Sequence, residues 1–255
     1  MKWRSLILPF YTEMGAMQIR VPPSVIYFSL GFAAMLTSVN ASAKGGSYLF
    51  KAHFGLALSG KISLDQSSNF YDYPLFLTAE RFQKFGKKLM NFDQAWSVGV
   101  SAQYSAASYE AGGVIRRGSH QLFGVRGGWR LSRGSFVLQS NLELIPFGML
   151  TVYSSVDSMV NGERINSTSQ TELYGYGFRL GFSGDYQFSY KLFSGKHNFV
   201  VGASFALLKE SFNKRRDLVV QTSLATGRRD VSDNVRACSC GLQQLELSLQ
   251  LGYQL

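Results

Sequence analysis

The stretch LYGYGFRLGFSGDYQFSYKL, Leu173 to Leu192, limits the fold more than any other part of the chain. Every even position from Tyr174 to Leu192 except Gly184 is aromatic or leucine. The odd positions after Leu173 are Gly, Gly, Arg, Gly, Ser, Asp, Gln, Ser and Lys. A period of two held for about twenty residues is a β-strand with one apolar and one polar face. Strands of soluble domains usually stop at roughly five or six residues. From Tyr176 to Tyr186, at about 3.3 Å per residue, the strand covers roughly 33 Å. Tilted about 40°, that is roughly 25 Å, the height of the apolar band of a transmembrane barrel. Tyr174, Tyr176, Tyr186 and Tyr190 are then candidates for the aromatic girdles that border such a band.

The same alternation recurs from Phe50 to Leu58, Trp96 to Tyr104, Phe123 to Leu131, Phe136 to Leu144, Phe199 to Leu207 and Leu245 to Leu255. Tyr71 to Gln83 is a weaker candidate, because Pro74 cannot donate to a ladder and argues for a strand end or bulge. Counting it gives eight strands. Pro146 similarly suggests a bulge, beyond which pairing continues toward Tyr153. Ser132–Gly134 and Ser194–Lys196 read as tight turns, and the segment near 85–94 as the longest turn on the same side. Residues 60–70, 106–119, 154–170 and 209–241 read as long loops on the other. Short turns at one end and long loops at the other suit an all-β, antiparallel up-and-down transmembrane β-barrel.

Alternation alone does not orient the apolar face. A soluble eight-stranded barrel keeps it inside, and its wet exterior needs many Lys and Glu. Here charged residues are only 16% of the chain, against roughly 25% in ordinary soluble proteins, and the polar face is mostly Gly, Ser, Gln and Asn. Small residues suit the narrow interior of an eight-stranded barrel. The apolar face is therefore expected to meet lipid. The inward face carries Lys51, Arg126, Arg130, Glu143, Arg179, Asp185, Lys191 and Glu246. In so narrow a space these charges must be paired or hydrated. A filled lumen is expected in preference to a conducting one, and a serine at Gly181 is expected to crowd it.

The apolar run Val25 to Leu36, preceded by Arg20 and followed by Ala41-Ser42-Ala43, reads as a secretory signal peptide over residues 1–43. Met17 opens a version of ordinary length. Residues 44–255 then form the barrel domain, with strand pattern starting within a few residues. Without Lys2, Arg4, Arg20 and Glu13 the chain keeps 23 basic and 15 acidic residues, a net +8.

Catalytic signatures are sparse. The three histidines His53, His120 and His197 lie in HFG, HQL and HNF, which do not match the His-x-Ser pair of lipid A deacylase barrels. The last loop's SDN and RRD are too generic for an omptin-type protease site. Each histidine reads as an interior or surface polar residue. Cys238 and Cys240 suit a local bridge or a passive pair better than a metal, since a zinc site needs further ligands. No cofactor and no nucleic-acid partner is indicated. The basic triplet Lys214, Arg215 and Arg216 is a candidate contact for lipopolysaccharide phosphates, since Arg forks suit phosphate.

Over Tyr48 to Leu255 the pattern resembles the small bacterial outer-membrane barrels of the OmpA transmembrane-domain, OmpX and OmpW type. That family's last strand commonly ends in an aromatic residue; here Tyr253 lies two places before the terminal Leu255. The resemblance implies a monomer in a Gram-negative outer membrane, inserted by the barrel assembly machinery. It would be a non-enzymatic protein in contact with outer-membrane lipid and lipopolysaccharide or presenting loops to external partners. The alternatives are a narrow porin-like channel for small solutes and, less favoured, a lipid-modifying or proteolytic barrel enzyme.

Overall fold

The computed structural model describes residues 7–10, 17–20, 47–64, 67–111, 114–160, 163–192 and 195–254. Residues 1–46 and 47–255 form two separate compact units. In the first, Ile7–Phe10 and Met17–Arg20 pair as antiparallel strands. The apolar run Val25 to Leu36 and Ala41-Ser42-Ala43 lie outside the described residues.

The second unit is a closed barrel of eight antiparallel strands in sequence order. They are β1 (Ser47–Ser63), β2 (Ser67–Leu89), β3 (Phe92–Ala111), β4 (Val114–Arg133), β5 (Phe136–Val160), β6 (Glu163–Leu192), β7 (Gly195–Ser223) and β8 (Arg229–Gln254). β8 pairs with β1 from Gly241↔Ser63 to Gln254↔Leu49, so the sheet has no free edge across this span. That closure is what a backbone in lipid requires, because no water is present to satisfy an unpaired N–H or C=O.

The weak candidate strand is real and long, and Pro74 has a place in it. The β1–β2 register lapses between Phe54↔Leu75 and Lys61↔Asn69, and Pro74 lies in that lapse, where a missing N–H costs no ladder bond. Pro146 falls in a second irregularity, between Ile145↔Gly177 and Gly148↔Gly175, after which β5 continues through Tyr153 to Val160. β2 and β3 are joined by two residues, Met90 and Asn91, both with positive φ. That is a tight hairpin turn, not a long one, because the charged segment before it is already strand.

The long loops are also largely strand. β7 runs to Ser223 and β8 starts at Arg229, so most of residues 209–241 is ladder. Likewise β5 and β6 pair as far as Val160↔Glu163. By contrast the β4–β5 ladder stops at Arg117↔Tyr153 and the β8–β1 ladder at Gly241↔Ser63. β5 to β8 therefore rise past the rest of the barrel as a four-stranded sheet. In water a strand needs no apolar face, so these Ser-, Thr- and Asp-rich segments lack the alternation that marks the others.

Outward residues are apolar across the middle of the wall. Phe178, Leu180 and Phe182 are exposed, whereas Arg179, Ser183 and Asp185 on the alternate positions are buried. Tyr176, Tyr186 and Tyr190 are exposed on the outer wall, and Tyr174 is half-buried, its phenol donating to Glu172 Oε2 at 2.6 Å. Near the short turns the rings of Phe136, Tyr186, Phe188, Phe199 and Tyr253 touch in succession. A closed barrel with this exterior is a transmembrane-type barrel of the kind found in bacterial outer membranes.

Leu180→Arg is expected to cost about 2–4 kcal/mol of barrel stability, read by denaturant titration in liposomes. Gly181 is not the crowded glycine expected from the sequence, since an added Cβ there meets only Ala206 Cβ and Phe205 O at 3.7 Å. At Gly202 the added atom would strike Asp185 Oδ1 and the Gly184 carbonyl. In the same titration Gly181→Ala should be near neutral and Gly202→Ala should cost about 1–3 kcal/mol.

Candidate functional site

The side chains that could do chemistry converge inside the barrel. Near the short turns Leu49, Phe82 and Val200 form a small apolar cluster. The Arg130 guanidinium lies 4.5 Å from the Phe82 ring centroid. Next comes a charged layer. Lys51 Nζ donates to Asp185 Oδ2 at 2.5 Å and to Gln250 Oε1 at 3.1 Å. Arg126 Nε lies 3.2 Å from Glu80 Oε1, while Gln139 donates to the other Glu80 oxygen at 2.5 Å. Arg179 bridges two carboxylates, Glu143 at 3.1 Å and Glu246 at 3.1 Å, and also donates to Gln103. His53 stacks on Phe76 at 3.9 Å and faces Thr78 Oγ1 at 3.3 Å.

The lumen glycines explain how these long side chains fit. A Cβ on Gly124 would strike Glu143 Oε1, one on Gly148 would strike Glu210 Oε1, and one on Gly202 would strike Asp185 Oδ1. Each of these three glycines is thus the space over which a neighbouring carboxylate lies. The small-residue composition of the polar face and its buried charges are two sides of one packing solution.

Farther toward the long hairpins, His120 is fully buried between two carboxylates. Its Nδ1 is 3.1 Å from Asp72 Oδ2 and its Nε2 is 2.7 Å from Glu210 Oε2. Each ring nitrogen thus faces a carboxyl oxygen within hydrogen-bond distance, and the ring links the two acids. The ring separates the acids, so the three residues do not converge on a common metal position. Above it the lumen is closed by an apolar cluster including Ile62, Phe70, Tyr109, Leu150, Leu173, Phe212 and Leu242. Phe70 presents an edge contact to His120 at 5.9 Å.

Of the inward charges named from the sequence, Lys51, Arg126, Arg130, Glu143, Arg179, Asp185 and Glu246 are all buried in this network. The Lys191 side chain lies outside what is described. Sequence reasoning did not place Asp72, Glu80 and Glu210 in the lumen, and read His120 only as an interior or surface polar residue. Asp72 and Glu80 sit on the strand that Pro74 weakened, Glu210 sits where a loop was expected, and His120 sits just past the end of another. The available signal was parity: Asp72 and Glu80 share alternation with Phe76 and Thr78, and Glu210 with Ala206 and Leu208.

The basic triplet lies on β7 and is mostly engaged. Arg215 Nε is 2.9 Å from Asp217 Oδ2. Arg216 forks onto Asp233, with donations of 3.0 and 2.7 Å, and lies 3.7 Å from Glu172. Those hydrogen bonds from Arg216 hold the Asp233 carboxyl below its ordinary range, so the pair stands at neutral pH and is lost only in acid. Lys214 is exposed, its Nζ 5.9 Å from the Tyr174 ring centroid. Cys238 and Cys240 form a disulfide with Cα atoms 5.4 Å apart, at an irregularity in the β7–β8 ladder.

No family model and no curated protein matches the chain. Among solved structures it is similar to the outer membrane protease OmpT of Escherichia coli, at 8% identity and TM-score 0.41, covering 81% of this chain and 96% of that one. A major outer membrane protein of Thermus thermophilus is similar at 12% identity and TM-score 0.36, with 82% and 99% covered. An outer membrane channel of Pseudomonas putida is similar at 7% identity and TM-score 0.26, with 84% and 97% covered. Likenesses at this level assign no activity.

Removing one member of a buried ion group leaves its partners charged and dry. Arg179→Met, which strands Glu143 and Glu246, should cost about 3–5 kcal/mol in denaturant titration of the refolded barrel. Replacing both Lys51 and Asp185 by Met and Leu should cost clearly less than Lys51→Met alone.

Proposed function

We propose that this protein is a non-enzymatic outer-membrane barrel, a sealed structural element anchored in the lipopolysaccharide leaflet, with its tall β5–β8 sheet outside the cell. The observation that carries this reading is the filling of the lumen. A charged network is stacked between an apolar cluster at the short turns and a larger one at the long hairpins. An ion or solute would have to displace both clusters and break buried ion pairs on the way, which is costly in eight strands. A structural role is also favoured over catalysis. The most reactive-looking group, Asp72–His120–Glu210, is buried under the apolar roof, where a substrate cannot reach it in this conformation. Orientation follows the usual barrel arrangement, with short turns and both barrel termini on the periplasmic side.

Purified protein in planar bilayers is expected to show at most small, infrequent openings and no turnover of peptides or lipid A. Steady, porin-like conductance would overturn the sealed-barrel reading.

A further inference from the structure

The cations near the long hairpins fall into two groups. Arg215, Arg216, Arg228 and Arg236 each lie against a carboxylate. Lys61 and Lys209 are exposed and, like Lys214, Arg117 and Arg229, have no carboxylate partner among the described residues; of these, Lys61 and Lys209 are the pair that one ladder row brings together. Ladder register sets these two side by side. Lys209 is opposite Gln243, Gln243 opposite Lys61, and Lys61 opposite Asn69, all four exposed on the outer wall. With neighbouring strands about 4.8 Å apart, the two lysines stand roughly 10 Å from each other, a spacing that two flexible side chains close easily. Two residues nearer the middle of the bilayer, the outward row becomes Leu207, Leu245, Ser59 and Tyr71. The change from apolar to cationic marks the level of lipid headgroups.

The wall is indented at this level. Six β1 residues, 55–60, face five β2 residues, 70–74, across the lapse in register. A notch of about 530 Å³ opens there, lined by Leu58, Lys61, Tyr71, Leu207 and Leu245 and by Gln244. The Gln244 side chain itself turns into the lumen, where its Nε2 donates to Asp72 and Glu246. A notch with leucines and a tyrosine on its membrane side and two carboxylate-free lysines at its headgroup end has the polarity of a lipid.

We propose that this notch binds a phosphorylated, multiply acylated glycolipid of the outer leaflet, lipid A. An acyl chain lies against Leu58, Leu207 and Leu245. A phosphate is held between Lys61 and Lys209, with the Gln243 and Asn69 amides as further donors. This site rests on the long-hairpin end being external, and it replaces the triplet at Lys214 to Arg216 as the main lipid contact, because the arginines there already hold carboxylates.

The test uses the full chain, refolded and purified in detergent, with lipid A titrated in and bound lipid counted by native mass spectrometry. Heat-modifiable electrophoretic mobility checks that each variant is a closed barrel. The double variant Lys61→Gln/Lys209→Gln should bind lipid A roughly tenfold more weakly, and Lys84→Gln at the opposite end should leave binding unchanged. Ser59→Trp, which fills the notch without removing a charge, should also weaken binding. Dephosphorylated lipid A should bind the parent as weakly as lipid A binds the double variant. Equal lipid A binding by parent and closed double variant would overturn the site, and phosphatidylglycerol binding as tightly as lipid A would overturn the choice of a glycolipid. Bilayer conductance, read separately, tests the sealed barrel, so either reading fails without the other.

Discussion

The hydrogen-bonding demand of a backbone in lipid governs the rest of this structure. Every N–H and C=O in the wall must find a partner on a neighbouring strand, so the sheet closes between β8 and β1. Closure with eight strands leaves an interior just wide enough for side chains. Everything inside follows from that width. Long charged residues cannot all stand upright in it, and they lie flat over glycines. Being buried, they must pair.

The pairing is extended because no charge in the lumen can be left to water. Arg179 serves two carboxylates at once, and Lys51 reaches Asp185 from three strands away around the wall. Such a network ties non-adjacent strands together across the axis, where ladder bonds do not reach. Apolar clusters lie at both ends, and burial raises both the worth of each pair and the penalty for breaking one. A lumen built this way is a brace. On the proposed sealed-barrel reading, contact with other molecules falls to the outside, at the headgroup level and on the tall sheet beyond it.

The outer wall is under a different constraint. Where it meets acyl chains, residues are apolar regardless of identity, and little specificity can be encoded. Specific contacts belong where the composition changes, at the rows of tyrosines and lysines and at irregularities in the ladder. The β1–β2 lapse is such an irregularity, and the notch lies at its long-hairpin end.

The count of eight hung on the segment that holds Pro74, but the sequence by itself determined the strand period, the apolar face of the strongly alternating strands and the inward placement of Lys51, Arg126, Glu143, Arg179 and Asp185. Those are local properties, because side chains alternate at every step of an extended chain. Parity alone placed Arg179 and Asp185 on one side and Leu180 and Phe182 on the other. Only the tertiary structure decided that residues 209–241 are ladder, that His120 sits between Asp72 and Glu210, and that Lys61 stands beside Lys209. A strand in water carries no apolar signature. A contact between residues 48 or 90 positions apart depends on register summed around the closed wall, and no local pattern carries that sum.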